Sequence, residues 1–401
     1  MGNLSLKAGW KMVKFGDVVR NVNLVERKPE SAGIDRIVGL EHLDSDSLHI
    51  RRWDTLDNGT SFTRKFLPGQ TLFGKRRAYQ RKVAFAEFEG ICSGDILTLQ
   101  PIDSNLLLPE LLPFICQTDA FFDYALGTSA GSLSPRTSWT ALKDFEFMLP
   151  TLDEQRQIRE VLCAIDEAAE HWFVVLSSLG NVKHSMLESI FSIEALSNRK
   201  WKLEKLKDVA SLQTGIAKGH KYADGEHLIE LPYLRVANVK DGYLDLGEIK
   251  TISVSASEID RFTIQEGDVL LTEGGDFDKL GRGSVWKNEI EHCLHQNHIF
   301  CVRPSRGVLL PEFLSYQTGS PYGKAYFLKC AKKTSNLASI NSTQVKDFPV
   351  LVAPMNEQYQ IIEELQIIDN SLLQNNLYLS SLKSLIKGLS DAFAVGGTGH
   401  V

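Results

Sequence analysis

A dense cluster of cations is the strongest chemical signal in this sequence. Within nine residues that start at Gly74, the cluster holds five cations and one aromatic ring, namely Lys75, Arg76, Arg77, Tyr79, Arg81 and Lys82. Cations engage phosphates, arginine forms paired hydrogen bonds with a guanine edge, and an aromatic ring stacks or wedges against bases. The cluster therefore predicts a nucleic-acid-binding loop. The alternative interpretation is a solvated surface loop.

A glycine-rich stretch later in the chain is a second candidate for such contacts. Residues 271–286 read LTEGGDFDKLGRGSVW, and they contain Lys279 and Arg282. The glycines permit close approach of the backbone, and the two cations are placed to reach a phosphate. The spacings of P-loops and dinucleotide-binding motifs are missing from it.

Three histidines and a cysteine lie close together between His292 and His298. The apolar residues that follow predict that this segment enters a strand, in which His292 and His298 share a face and His295 does not. No second group of ligands follows at a spacing typical of zinc sites. We therefore expect no metal here, and a structural or DNA-facing role for these side chains.

No set of residues with the context of a catalytic site is found. The sequence lacks a nucleophile elbow, an HExxH motif, a P-loop and a helicase-like series. It also lacks the glycine motif and the Pro-Pro-aromatic motif expected of an adenine methyltransferase. Scattered carboxylates such as Glu41 and Glu273 are interpreted as structural or surface groups. The sequence thus indicates recognition without catalysis, with no metal and no cofactor bound by this chain.

Two long heptad patterns are the elements that must position these loops. Both patterns carry apolar residues at the a and d positions, and the second repeats the first at a constant offset. The seam residues are Ile158, Leu162, Ile165, Trp172, Leu176, Leu179, Met186, Ile361, Leu365, Ile368, Leu372, Leu379, Leu382 and Leu389. Such seams predict two long helices that pair as an antiparallel coiled coil. Lys183 and Asn375 interrupt the seams, and such breaks usually fix the register at some loss of stability.

The segments before each helix also repeat. Trp10 to Val19 matches Trp201 to Ala210, and Leu108-Pro-Glu-Leu-Leu matches Leu310-Pro-Glu-Phe-Leu. Short aliphatic strands and helical spacing predict two mixed α/β globules, and hence an α+β fold with an internal pseudo-two-fold duplication. The predicted domains are a globule at 1–150, a helix and linker at 151–200, a globule at 201–353, and a helix with a mobile tail at 354–401.

Composition limits the location and the partners. The net charge is −6 at pH 7, so any contact with nucleic acid must come from local patches. The six cysteines lack CxxC spacing, which indicates a reduced, cytoplasmic setting. No hydrophobic run reaches the length of a membrane-spanning helix, and the N-terminus has no signal region.

The sequence as a whole resembles the specificity subunits of Type I restriction–modification systems. The resemblance covers essentially the whole chain and depends on the globule–helix–globule–helix order. It depends also on the helix-start motifs LPTLDEQRQI, from Leu149, and APMNEQYQI, from Ala353, and on the strings at 271–286 and 296–304. The sequence departs from the repeat at Cys92-Ser-Gly, which stands where the second copy has Gln-Asn-His, and at Trp172 and Asn375, which make the two helices unequal.

The resemblance implies that each globule is a target recognition domain that reads one half of a split, asymmetric site in double-stranded DNA. The helices would act as a spacer and dock two modification subunits, which carry S-adenosylmethionine and methylate adenine, and restriction subunits would join for cleavage. By position on the matching segments, Lys218, His220 and Arg235 join the DNA-binding candidates of the second globule. Two alternatives stay open: a recognition arm of another DNA modification or phage-defence complex, and a coiled-coil scaffold without a DNA role.

Overall fold

A computed structural model describes residues 9–223, 225–275, 277, 280–333 and 338–395 of the chain. The chain forms two compact units. The first unit runs to Val175 and resumes at Gln374, and the second comprises Leu176–Leu373. Each unit contains one globule of mixed helix and sheet and a part of each long helix. We refer to residues 9–150 as the first globule and to residues 201–353 as the second globule.

The first globule consists of short strands and helices. Its strands are β1 (Lys11–Lys14), β2 (Val19–Asn21), β3 (Leu24–Val25), β4 (Arg36–Val38), β5 (Asp54–Thr55), β6 (Arg64–Phe66), β7 (Thr71–Gly74), β8 (Val83–Phe85), β9 (Gly90–Cys92), β10 (Ile96–Pro101) and β11 (Glu146–Leu149). Its helices are α1 (Phe15–Val18), α2 (Leu112–Gln117), α3 (Asp119–Gly127) and α4 (Trp139–Leu142), and they are followed by the long helix α5 (Leu152–Ile190). The strands form sheets in the orders β2-β10-β7-β8 and β3-β6-β9-β4-β5, while β1 pairs with β11.

Aromatic packing closes the core of the first globule. The Phe121 ring lies 5.0 Å from Phe15 and 5.4 Å from Phe73, and each of these three side chains is fully buried. The apolar residues between Leu106 and Tyr124 have the spacing of one helix, but the structure forms two helices, α2 and α3, in this segment. Thr118 adopts an extended conformation between α2 and α3, and its hydroxyl accepts a hydrogen bond from the Phe121 amide. This threonine N-cap divides one expected helix into two.

The second globule repeats this plan. Its strands are β12 (Lys202–Lys205), β13 (Ala210–Thr214), β14 (Leu228–Leu234), β15 (Lys250–Ser255), β16 (Val269–Thr272), β17 (Gly274–Gly275), β18 (Gly283–Val285), β19 (Leu294–His295), β20 (Ile299–Pro304), β21 (Lys332–Lys333), β22 (Ala338–Ser339) and β23 (Pro349–Val352). The helices of the second unit, besides part of α5, are α6 (Ile193–Asn198), α7 (Leu206–Val209), α8 (Ile259–Phe262), α9 (Pro311–Gly319), α10 (Pro321–Cys330), α11 (Ser342–Lys346) and the first part of α12 (Met355–Val395). The sheet order β13-β20-β16-β18 and the pair β12–β23 correspond to β2-β10-β7-β8 and β1–β11. The predicted α+β class and its internal repeat are confirmed.

Hydrogen bonds at the start of each long helix are repeated side chain for side chain. The indole of Trp10 donates to Glu154 at 2.8 Å, and the indole of Trp201 donates to Glu357 at the same distance. Next to Glu154, the buried Gln155 accepts from the Leu108 amide at 3.0 Å and donates to the carbonyl oxygens of Leu106 and Pro150. These bonds fix each globule to the first turn of the helix that follows it.

The buried Gln358 plays the same part in the second unit as Gln155 does in the first. It accepts from the Leu310 amide at 2.8 Å and donates to the carbonyl oxygens of Val308 and Ala353. The repeated helix-start motif therefore encodes a tether between the globule and its helix in both copies.

Within each unit, the parts of the two long helices are in contact. Every predicted seam residue lies in α5 or α12, and each is buried or half-buried. In the first unit the rings of Trp172 and Tyr378 meet edge to face at 5.2 Å. In the second unit Lys183 of α5 forms an ion pair with Asp369 of α12. The predicted linker at Ser197 is partly helical instead, because Ser192 caps α6 by accepting from the Ala195 amide at 3.0 Å.

Candidate nucleic-acid interface

The cationic cluster of the first globule forms a tight loop between β7 and β8. Ala78–Gln80 make one 3-10 turn, and the residues on either side, Arg77 and Arg81, both have left-handed backbones with φ of 53° and 51°. Left-handed backbone at two arginines is uncommon and is held only by surrounding contacts. Ala78 is buried, whereas Tyr79 is 56% exposed. The turn therefore presents the tyrosine ring to solvent between two arginines.

Three of the cations hold this loop in shape. Arg76 pairs with Asp95 at 3.1 Å, and the Lys82 ammonium donates to the Leu40 carbonyl oxygen at 2.6 Å. Arg81 pairs with Asp46 and Asp119, each at 2.9 Å. The charges of these side chains are already balanced or bonded within the globule. Their first role is to build the loop.

The remaining members of the cluster are Lys75, Arg77 and Tyr79. Within the part of the chain that the structure describes, no carboxylate pairs with the Arg77 guanidinium. The backbone amide of Arg77 donates to the Pro135 carbonyl oxygen at 2.7 Å. Burial lowers the pKa of Lys75 from its ordinary value, and the charge of Arg64 adds to this effect. A phosphate placed there would be attracted to both cations. These three side chains are the most available for nucleic acid.

A second loop supports the cationic one, and the sequence analysis did not single out its side chains. Ala130 and Arg136 exchange backbone hydrogen bonds of 3.0 and 2.9 Å, and the Arg136 side chain pairs with Asp95 at 2.9 Å. The hydrogen bonds from Arg136 lower the pKa of Asp95, against burial, which raises it, and Arg76 adds to the lowering. The base of this loop is thereby fixed next to Arg77. Leu133, between the two anchors, is 90% exposed.

Two candidate segments of the second globule meet at residues 295–297. The Asn297 amide donates to the Ile216 carbonyl oxygen at 3.0 Å, on the loop that carries Lys218 and His220. The Gln296 amide donates to Leu234, next to Arg235, at 2.9 Å. Gln296 is a functional candidate that sequence reasoning quoted only as part of a motif. The bonds of Gln296 and Asn297 bring both loops to one place.

The individual candidates of the second globule differ in their environments. Lys218 is exposed, His220 faces Glu258 at 3.7 Å, and Arg235 faces Glu248 at 3.7 Å. Arg282 lies on the turn before β18, and its carbonyl oxygen accepts from the Thr272 amide at 2.9 Å. Lys279 lies outside the described residues. The close approach at this site requires Gly215, because a Cβ there would lie 2.0 Å from the His295 carbonyl oxygen.

The expectation that the histidines between 292 and 298 share one strand is wrong. His295 ends β19, a turn follows at residues 297–298, and β20 begins at Ile299. His295 is fully buried, and burial lowers its pKa to about 4. His298 instead pairs with Glu273 at the surface, and His292 lies in a turn with φ of 51°. These side chains face different surroundings and do not form a ligand set.

A further trio of Glu41, His42 and Asp54 has the spacing of a metal site, but its hydrogen bonds argue against one. The Gly39 amide donates to Nδ1 of His42 at 2.9 Å, so the proton of the neutral ring is on Nε2. That nitrogen faces Asp54 at 3.7 Å. A ring nitrogen that carries its proton has no lone pair to offer a metal ion. We assign this histidine a structural role.

Searches against known proteins agree on one family. A profile described as the Type I restriction modification DNA specificity domain matches residues 8–171 and 198–379, one copy in each half of the chain. Among the described helices, none is long and apolar enough to cross a membrane.

The chain is similar to the Type I restriction enzyme EcoKI specificity subunit of Escherichia coli K12, with 23% identity over 96% of this chain and 89% of that protein. It is 25% identical to the putative type I restriction enzyme MjaX specificity subunit of Methanocaldococcus jannaschii, but this match covers only 47% of the chain and 44% of that protein. The chain shares its fold with a Type I S subunit from M. genitalium, with a TM-score of 0.56, 15% identity and coverage of 98% of this chain and 97% of that chain. A chain in a structure of a type I R-M system gives a TM-score of 0.55 at 17% identity, over 98% of this chain and 99% of that one.

Proposed function

This chain belongs to the family of DNA specificity subunits of Type I restriction–modification systems, and we propose that its two globules read the two halves of a bipartite, asymmetric DNA sequence. The role of this family is non-catalytic, since catalysis is carried out by partner subunits. In this proposal Lys75, Arg77 and Tyr79 contact DNA in the first globule. Lys218, His220 and Arg235 do so in the second.

The observation that carries the proposal is a repeated scaffold with unrelated loops. The tethers of Gln155 and Gln358 have the same partners in both copies. The loop after β7 is cationic, however, while the loop after β16 is rich in glycine. A shared frame with different reading loops is what two different half-sites require. This difference supports an asymmetric recognition site.

We assign the long helices two tasks in the complex. As paired rods they would set the number of base pairs between the half-sites, since a fixed separation of reading heads fixes the spacing of their sites. They would also dock modification subunits. Within the second unit, α12 exposes Tyr359, Ile367 and Leu373, each by at least 60%. Exposed apolar side chains on one helix support a partner contact.

The partner subunits would supply the chemistry in this proposal. Two modification subunits would bind S-adenosylmethionine and methylate adenine within the site, and restriction subunits would join them for cleavage. Because its ligand is genomic DNA, we place the complex in the cytoplasm.

Sequencing of DNA methylation tests the proposal directly. Cells that carry the gene together with its modification subunit should show methylated adenine in one split motif, and deletion of this gene alone should abolish it. Replacing residues 9–150 by the corresponding segment of another specificity subunit should change only one half of the motif. Methylation that persists without this gene, or a motif that changes in both halves, would contradict the proposal.

A further inference from the structure

Residues 48–51 of the first globule point their side chains alternately to the globule and to helix α5. Leu48 and Ile50 are buried in the globule, and the Leu48 carbonyl oxygen accepts from the Phe85 amide at 2.8 Å. His49 and Arg51 alternate with them and face helix α5 of the same unit. Alternation along extended backbone places neighbouring side chains on opposite sides. One side of the segment is therefore buried in the globule, and the other side contacts the helix.

Arg51 forms a two-pronged contact with α5. Its guanidinium donates from Nε to Glu170 at 3.0 Å and from Nη2 to the other oxygen of the same carboxylate. The cation also lies 3.9 Å from the centre of the Phe173 ring. Within the globule, Asp44 and Ser47 accept from its remaining nitrogen at 3.2 and 3.0 Å. Paired hydrogen bonds to a carboxylate fix orientation as well as distance.

His49 makes the second attachment, about one helical turn away. Its Nε2 lies 3.2 Å from Asp166 of α5, and its Nδ1 lies 3.3 Å from Glu87 of the globule. A protonated ring therefore bridges two carboxylates on different elements. Both His49 and Arg51 line a cavity of about 480 Å³, into which Lys383 and Lys387 of α12 also face.

We propose that His49 and Arg51 are positioning residues that latch the first globule to α5, and that the His49 half of the latch opens in alkaline solution. Reading of the first half-site then depends on pH through His49. The second part rests on the proposed DNA-reading role of the first globule.

The direction of the pH effect follows from the groups around His49. Asp166 raises the pKa of His49 above its ordinary value of 6.5, burial opposes this, and Glu170 and Glu87 add to the increase. A histidine whose pKa is raised in the folded state stabilises the fold fully below about pH 6.5. This contribution is lost as the pH rises through the raised value. The latch is therefore closed in mild acid and loosened in mild base.

The second unit uses different groups at the corresponding place. Asp369 occupies the position in α12 that Asp166 occupies in α5, and it pairs with Lys183 and accepts from the Tyr316 hydroxyl at 2.7 Å. Neither Lys183 nor Tyr316 is a histidine, the side chain whose ordinary pKa lies near neutral pH. A histidine-dependent pH response is therefore expected at the attachment of the first globule.

The first experiment needs no DNA. Thermal unfolding of the full-length chain is followed from about pH 6 to pH 8.5 for the wild type, His49→Gln and the control His171→Gln. The control removes an exposed histidine of α5. The wild type and the control should lose stability with rising pH, and His49→Gln should lose less. Parallel curves for all three proteins would overturn the latch.

The second experiment measures the two half-sites separately. The full-length chain, in complex with its modification subunits, is bound to duplexes in which one or the other half-site is replaced. Affinity through the first head should fall by roughly three- to tenfold over this pH range, and His49→Lys should remove the dependence. A pH dependence at the first half-site that His49→Lys leaves unchanged would refute the positioning role. Loss of all sequence-specific binding at every pH would instead refute the proposed function, while the unfolding curves would still decide the latch.

Discussion

The Tyr316 hydroxyl donates a hydrogen bond to the Asp369 carboxylate at 2.7 Å, and this contact joins α9 of the second globule to α12. Lys183 of α5 pairs with the same carboxylate, and its ammonium lies 5.5 Å from the centre of the Tyr316 ring. The lysine that interrupts the heptad seam therefore has a specific partner. One carboxylate ties together both helices and the globule of this unit.

Removal of this carboxylate's charge should destabilise the second unit. Asp369→Asn leaves Lys183 half-buried without its partner, and we expect the free energy of unfolding to fall by about 1–2 kcal/mol. Urea denaturation of the full-length protein measures the change. Asp153→Asn, which breaks the exposed pair of Asp153 with Arg156, is the matched control and should change stability by less than about 0.5 kcal/mol. Similar effects of both substitutions would show that the Lys183 pair has no special role.

The repeated glutamine tethers should be among the most sensitive polar positions of the chain. Gln155→Ala leaves the Leu108 amide and the carbonyl oxygens of Leu106 and Pro150 without this partner in a buried place. The expected loss is about 2–4 kcal/mol of unfolding free energy, and Gln358→Ala should behave alike. Exposed Gln157→Ala is the control, and chemical denaturation gives the comparison. If Gln155→Ala proves as mild as Gln157→Ala, the tether does not hold the globule.

The structure separates the cationic cluster into two groups with different expected phenotypes. Arg77→Ala should weaken DNA binding and reduce the dependence of log K on log salt concentration by about 1, with unchanged stability. Arg81→Ala should instead lower stability, because Asp46 and Asp119 lose their shared partner. Salt titrations of DNA binding and thermal unfolding of both variants make the test. Loss of stability in Arg77→Ala would argue that this arginine also builds the loop.

Leu133 should matter for DNA and not for folding. An apolar side chain that is 90% exposed contributes little to the core. Leu133 lies on the loop whose Pro135 carbonyl oxygen accepts from the Arg77 amide, and we propose that it presses against base pairs. We expect Leu133→Ala to weaken binding to the half-site of the first head by about 1 kcal/mol. Ile102→Ala, another exposed apolar residue of this unit, should leave binding unchanged. Equal affinity of wild type and Leu133→Ala would remove Leu133 from the interface.

The scaffold of this protein can be predicted from the sequence because its residues are repeated in the two halves of the chain. Repeated Trp10 and Trp201, and repeated Gln155 and Gln358, stand at the same places in both copies, and periodicity alone predicts the seam of α5 and α12. The candidate interface was harder to predict from the sequence. Pairs such as Arg81 with Asp119 join residues that are far apart in the chain, so composition identifies a cation without showing whether it is already paired.

The same limit applies to loops that come together only in the fold. The support of Arg77 by Pro135, and the meeting of the Ile216 and Leu234 segments at residues 296–297, depend on backbone hydrogen bonds between segments that are distant in the chain. No local pattern encodes these contacts. The histidine segment shows that a local pattern can also mislead. Its sequence predicts one continuous strand, but a turn at residues 297–298 interrupts it.

The two copies differ most clearly at one buried pair. In the second globule, Asp268 is fully buried and accepts two hydrogen bonds from Arg303, each at 2.7 Å. At the corresponding places of the first globule, Gln70 donates to Gln100 at 3.4 Å. A buried ion pair and a neutral amide pair thus occupy equivalent positions on matching strands. We expect that the scaffold itself requires neither arrangement.

A double-mutant cycle at this pair tests that equivalence. Asp268→Asn should cost about 2–4 kcal/mol, because the partly buried guanidinium of Arg303 loses the charge that balances it. Asp268→Gln combined with Arg303→Gln recreates the neutral pair of the first globule, and we expect it to recover most of this loss. Urea denaturation of Asp268→Gln, Arg303→Gln and the double variant gives the coupling energy. If the double variant is as unstable as Asp268→Asn, the second globule depends on the ion pair, and the two scaffolds are not interchangeable at this position.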